Sequence, residues 1–288
     1  MPISFYRLAS LSEKNVQQDQ RKVEDISGSN RPSELEKDFC AFFDEDRVDA
    51  CIAMQTEYSR NDGDFVDIYY PRLACLILET AYEQAKEVHE AFSYTFKEIT
   101  NIMMNNSPWF GQELWTARKL HMEGNWPLFY TFYFNTPLWG EGSDSLKDVV
   151  DEMHLAMKEV APTCNVETLT QVIKQISYLK WEKWCEDDKT CKFSPCENIL
   201  NALQKYIFAC IKLTWRMVTQ MPPMKLEYHS SQFNKDIHKK VSRVPEETRR
   251  LTKKDQGEDI RCYLWPGLQD GGGRRIRQAE VLCKLKQK

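Results

Sequence analysis

Near the end of this 288-residue chain, three glycines run into two arginines as Gly271-Gly272-Gly273-Arg274-Arg275. A glycine loop can hold a phosphate when it leads from a strand into a helix, because the helix N–H groups then face the anion. Here both flanks read as strands, Cys262–Trp265 before and Ala279–Leu285 after. Neither GxxxxGK followed by Ser or Thr, nor GxGxxG, occurs around Gly271. The stretch is therefore read as the glycine turn of a β-hairpin, and a nucleotide-binding loop is disfavoured. The arginines keep a chemistry of their own. Arg274, Arg275 and Arg277 cluster beside the turn, and a guanidinium is shaped for bidentate contact with phosphate. Lys284, Lys286 and Lys288 alternate along the last strand and so share one face. Arg274, Arg275, Arg277, Lys284 and Lys286 form the candidate contact for an anionic lipid head group. The plainer alternative is that lysines on an edge strand guard it against pairing.

Other chemistry is thinly supplied. His89, His121, His154, His229 and His238 are scattered and lack HExxH spacing. His121 and Glu123 could pair a base with a carboxylate, as many surface neighbours do. Glu79, Glu83, Glu87 and Glu90 share a helix at 3–4 spacing, but no ExxH accompanies them. They read as a solvated face rather than half of a di-metal site. Cys185, Cys191 and Cys196 are spaced C-x5-C-x4-C, without the short pair or the nearby histidine that zinc favours. No catalytic residue, metal or cofactor is assigned.

Composition is that of a globular chain, 42% hydrophobic and 28% charged, enough to bury a substantial core. The net charge of −4 hides an asymmetry. Residues 235–288 carry 15 Lys+Arg against 8 Asp+Glu, whereas residues 1–234 carry 24 against 35. A basic tail on an acidic body suits an anionic partner or is simply a solvated segment; no nucleic acid is expected. The first twenty residues lack the apolar core of a signal peptide, so the ten cysteines are read as reduced thiols of an intracellular protein. No apolar run approaches the roughly 20 residues of a membrane span.

The elements that must carry these residues are mostly helices. Residues 1–32 read as a polar, disordered or loosely attached arm, and 33–288 as one helical domain. Ser33 and Glu36 look like a capping box for a helix to about Ser59. Phe65 to about Met104 gives the longest helical pattern, with Pro71 in its first turn, and should be the spine of a bundle. Residues 108–142 are rich in Trp and Pro and read as core packing. Further helices are expected from Ser145 to Val160, from Asn165 to Trp184, and from a Ser194-Pro195-Cys196-Glu197 start to Pro222-Pro223. Met224–Tyr228 then alternates as a strand, and 233–260 is charged and reads as a long, mobile basic loop. The expected fold is mainly α: a bundle of about six helices with a small C-terminal antiparallel hairpin or sheet.

Several of these residues carry a likeness. Lys212-Leu213-Thr214-Trp215-Arg216-Met217-Val218 leads into Gln220-Met221-Pro222-Pro223-Met224. After a hydrophilic loop come Tyr263-Leu264-Trp265-Pro266-Gly267-Leu268, the three glycines, and Glu280-Val281-Leu282. Over about residues 65–288 this resembles the C-terminal domain of the mitochondria-eating protein family. The resemblance implies a non-enzymatic protein of mitochondrial quality control, cytoplasmic and mitochondrial, that binds the anionic lipid cardiolipin. It also implies self-association through a coiled coil ahead of the domain, although residues 1–64 hold only a polar arm and one helix. It carries over no catalytic residue. The competing expectation is a soluble cytosolic adaptor or immune-type interaction domain without a lipid role.

Overall fold

The computed structural model describes residues 30–58, 68–104, 144–187, 196–241 and 258–284. Residues 1–29, the Trp-rich 108–142, His121, Cys191, Ser194, Pro195, Lys286 and Lys288 lie outside the described residues. Helices come first: α1 (Pro32–Asp44), α2 (Asp46–Tyr58), α3 (Tyr70–Met104), α4 (Asp144–Val160), α5 (Leu169–Asp187), α6 (Glu197–Ala202) and α7 (Gln204–Val218). Six short strands follow: β1 (Lys225–Glu227), β2 (His238–Lys240), β3 (Ile260–Trp265), β4 (Gly267–Gln269), β5 (Arg275–Arg277) and β6 (Ala279–Cys283). The mainly helical fold with small C-terminal sheets is the one expected. The chain divides into a larger unit, residues 1–86 with 158–288, and a smaller one, Glu87–Met157.

In the larger unit, α7 is the hub. It packs against α1, α2 and α5, and nine of its 15 residues are buried, from Tyr206 to Val218. A helix apolar on most sides belongs inside. Tyr206 also donates to the Ala74 carbonyl of α3 (3.0 Å) and stacks on Phe42 of α1 (5.4 Å). The expected spine, α3, is buried without interruption from Leu73 to Tyr82.

The single helix expected from Ser33 to Ser59 is two, α1 and α2, broken at Glu45. Three consecutive carboxylates, Asp44 to Asp46, explain the break. They oppose the negative C-terminal end of α1 and favour the positive N-terminal end of α2. The Ser33 capping box does not form. Arg31 holds the N-cap position without a side-chain cap bond, and Pro32 fills the first turn. Ahead of it, Asn30 is buried and reaches the Lys158 and Arg216 carbonyls through its amide, at 3.3 and 3.4 Å. α5 begins at Leu169, after a turn in which the Asn165 side chain accepts from the Glu167 N–H (3.0 Å).

Glu79 and Glu83 are not on a solvated face. Glu79 is buried, accepting from Arg72 (2.7 Å) and from the Cys75 thiol (3.1 Å). Burial disfavours the Arg72 charge, but Glu79, together with Cys75 and Cys262, holds the guanidinium pKa above its ordinary value. Glu83 binds Lys180 and the Tyr228 hydroxyl.

The strands form two sheets, ordered β1-β4-β5 and β2-β6-β3. The glycine turn therefore joins β4 to β5, not β3 to β6 as the sequence suggested. β3 and β6 do pair antiparallel, in a second sheet. The reason lies at Pro266, which has no N–H to donate to a ladder, so the chain changes sheet there. Gly267 follows, where a Cβ would meet the Ala279 nitrogen at 3.1 Å. The loop expected over 233–260 is also interrupted. β2 pairs parallel with β6, and Phe233 and His238 are buried.

A buried polar lock joins the two sheets. Asn234 donates its N–H to His238 Nδ1 (3.0 Å), so the neutral ring carries its proton on Nε2 and donates to Glu227 Oε2 (3.1 Å). Glu227 Oε1 accepts from Ser230 Oγ (2.7 Å) and Tyr263 OH (3.0 Å). Burial first, then the Glu227 charge, raises the Tyr263 phenol pKa and keeps it a donor. Ser, His and Glu here resemble a catalytic set, but Ser230 donates to the carboxylate and the free ring nitrogen is capped by backbone. The arrangement binds β1, β2 and β3 together rather than activating a nucleophile.

In the smaller unit, His89 and His154 lie 5.3 Å apart, with Phe96 edge-on to His154 at 5.9 Å. Burial and then His154 lower the His89 pKa from 6.5 to about 4, against Glu90. His154 is lowered too, by burial and Lys97, against Asp151.

Three outcomes follow from these contacts. Gly271→Ala places a Cβ on the carbonyl and ring of Pro222; it should cost about 1–3 kcal/mol, read as a lower unfolding midpoint. Glu227→Gln turns an NH2 towards existing donors and should cost about 1–3 kcal/mol. An unchanged denaturant midpoint would show the lock to be dispensable. Between pH 6.5 and about 4 the unfolded chain holds a proton on His89 that the folded chain refuses. Stability should fall as pH drops through that window, and His89→Gln should flatten the slope of midpoint against pH.

Candidate functional site

Asp270 builds the turn that presents the arginines. Gly273 donates to the Asp270 carbonyl (3.0 Å), and the Asp270 N–H donates to the Arg274 carbonyl (2.9 Å). Gly273 has φ 83°, open to glycine at little cost. The Asp270 carboxylate accepts the Arg274 N–H (2.7 Å) and its Nε (3.0 Å). Glu36 of α1 takes the far end of the same guanidinium. These carboxylates raise the Arg274 pKa, Asp270 foremost. Arg274 is thus exposed but already held between two anions.

Arg275 of β5 is exposed. Arg277, two residues on, lies with its guanidinium carbon 3.6 Å from the centre of the Phe43 ring. Neither Arg275 nor Arg277 has a carboxylate partner among the described residues. Lys284 follows the end of β6 and approaches only Asp259, at 3.8 Å, with both side chains well exposed. From Ala279 to Lys284 the extended chain spans about 16 Å, so Lys284 stands apart from the hairpin arginines. Lys286 lies outside the described residues.

Residues not picked out in the sequence complete the basic surface. Arg47 of α2 sits 4.1 Å from the centre of the same Phe43 ring and bonds Glu280 Oε2 (3.2 Å). Lys239 of β2 takes Glu280 Oε1 (3.1 Å). The signal for Arg47 was present, since Phe43 and Arg47 are four apart, but the acidic run around them hid it. Phe43 itself is held by Trp265, which is fully buried among Phe39, Phe42 and Phe43, with ring centres 5.8, 6.1 and 5.4 Å away.

Among the described residues no helix is long and apolar enough to cross a membrane, and no group of His, Cys, Asp and Glu could hold a metal ion. Cys185 and Cys196 are unbonded to each other and half-buried. Exposed guanidinium groups of this kind are suited to an oxyanion.

No curated protein and no solved structure matched the chain. A family model does match, and it takes in the Pro222-Pro223 turn, the glycine hairpin and β6, while Phe43 and Arg47 fall outside it. Residues 182–283, from the last turns of α5 to the end of β6, match the family described as Mitochondria-eating protein.

Proposed function

We propose that this chain serves mitochondrial quality control as a non-enzymatic module that associates with mitochondria and contacts anionic phospholipid, cardiolipin in particular, through its basic hairpin. The family match over 182–283 carries the reading, since that family is one of mitochondrial quality control and is not a known family of enzymes. Two features of the hairpin support the lipid part. Arg275 is exposed on a three-residue edge strand, and Arg277 has no carboxylate partner among the described residues. Of the five cations read from the sequence, Arg274 and Lys284 already face carboxylates, so Arg275 and Arg277 would supply most of the attraction. That same engagement favours the second reading, an adaptor that works through protein contacts and leaves lipid alone.

Flotation with vesicles separates the two. Vesicles containing cardiolipin should carry the chain upward and neutral phosphatidylcholine vesicles should not. Raising the salt to about 1 M, where the Debye length falls to about 3 Å, should release it. Arg275→Ala with Arg277→Ala should weaken recruitment several-fold. Equal recovery on both vesicle types, or no effect of the double change, would leave the adaptor reading in its place.

A further inference from the structure

We propose that Arg47 and Arg277, seated on the Phe43 ring, form a receptor for one compact phosphate group. The inference shares Arg277 with the membrane reading and adds Arg47 and the Phe43 ring, which neither that reading nor the family match contains. The two guanidinium carbons lie 4.1 and 3.6 Å from one ring centre, so they are less than 8 Å apart. Like charges at that spacing repel, and folding has brought them from α2 and β5 to one place. Arg47 uses one nitrogen on Glu280. The other oxygen of Glu280 is taken by Lys239, so this carboxylate has little left to offer. Arg277 makes no hydrogen bond or ion pair with any described residue, and its five N–H donors await an acceptor. The buried indole N–H of Trp265, whose ring packs against Phe43, has no acceptor among the described residues either.

Stacking makes the arrangement a receptor rather than a loose patch. A guanidinium in contact with a ring face has its motion restricted and keeps N–H donors for an oxyanion. Lysine could not substitute, because a point charge has no fork. The surroundings then select the ligand. Asp44, Glu45, Asp46 and Asp49 are exposed around the same junction, and none ion-pairs with Arg47 or Arg277. They disfavour a bulky, highly charged anion and tolerate a small dianion bound at short range. A phosphate monoester meets that description, whether free or as a lipid head group.

The test is calorimetric titration of the full chain with phenyl phosphate at low salt, alongside flotation on vesicles containing phosphatidic acid. Phenyl phosphate should bind saturably. Arg277→Lys, which keeps the charge and loses the fork, should weaken it about tenfold or more; Phe43→Leu should do the same, and Lys205→Gln, at an exposed position of α7, should leave it unchanged. Should Phe43→Leu lower the unfolding midpoint, Arg277→Lys decides alone. Vesicle binding that needs Arg277 without phenyl phosphate binding supports the site and assigns the phosphate to a head group. Absence of both, or binding indifferent to Arg277→Lys, overturns it. If vesicle binding survives Arg277→Lys but is lost in Arg274→Gln with Lys284→Gln, this receptor is overturned while the membrane reading stands.

Discussion

Burial of Trp265 is the constraint on which the C-terminal region hangs. The residue ends β3, directly before the proline at which the chain changes sheet, and it enters a pocket made by three phenylalanines of α1. Replacing such a ring by alanine typically costs about 3–5 kcal/mol. Against this stands an indole N–H buried without a partner, worth about 1–3 kcal/mol. Apolar burial therefore wins, and the unpartnered donor is tolerated rather than stabilising. The consequence reaches the surface, because the contact that fixes Trp265 also fixes Phe43, the platform for Arg277 and Arg47.

A second set of interactions decides direction rather than total stability. The Arg72–Glu79 pair is buried, and the cost of desolvating two charges consumes most of their attraction. What the pair does is specify: Arg72 also donates to the Tyr263 carbonyl (3.3 Å), which sets the height of β3 against α3. On the other side of Tyr263, its hydroxyl enters the Glu227–His238 lock. One residue thus registers the strand against a helix through its backbone and against two other strands through its side chain. The apolar cluster of Cys75, Phe233, Ala279, Val281 and Cys283 fills the space between.

Local signals in the sequence were faithful where one element decided the outcome. The 3–4 spacing of α3 and α7, the strand at Leu226 and the turn at Gly273 all stand. So does the link between the hairpin and the Pro222-Pro223 turn, since Gly271 lies against Pro222. Signals failed where two distant segments had to meet. Glycines between two strand patterns suggest one hairpin, and nothing local says that Gly267–Gln269 pairs with Lys225–Glu227. Glu79 looked solvated because its partner Arg72 is seven residues away, beyond the usual helical pairing distance. β2 was hidden in a charged run, because a parallel edge strand of three residues needs only one buried side chain, His238, to anchor it.

The same distinction governs the charge of the C-terminal tail. By composition it is strongly basic, yet much of that charge is spent within the fold. Lys239 and Lys240 meet Glu280 and Glu258, and Arg274 meets Asp270 and Glu36. Where such pairs are solvent-exposed they contribute at most about 1 kcal/mol each to stability, but all of them remove field from the surface. What remains is selected by position, not by count. Arg275 is left free by exposure and Arg277 by its seat on an aromatic ring. Since the ring comes from α1 and Arg47 from α2, the proposed anion site depends on helices that precede the family-matched region. A hairpin excised from them would keep its three arginines and lose the platform that orients Arg277.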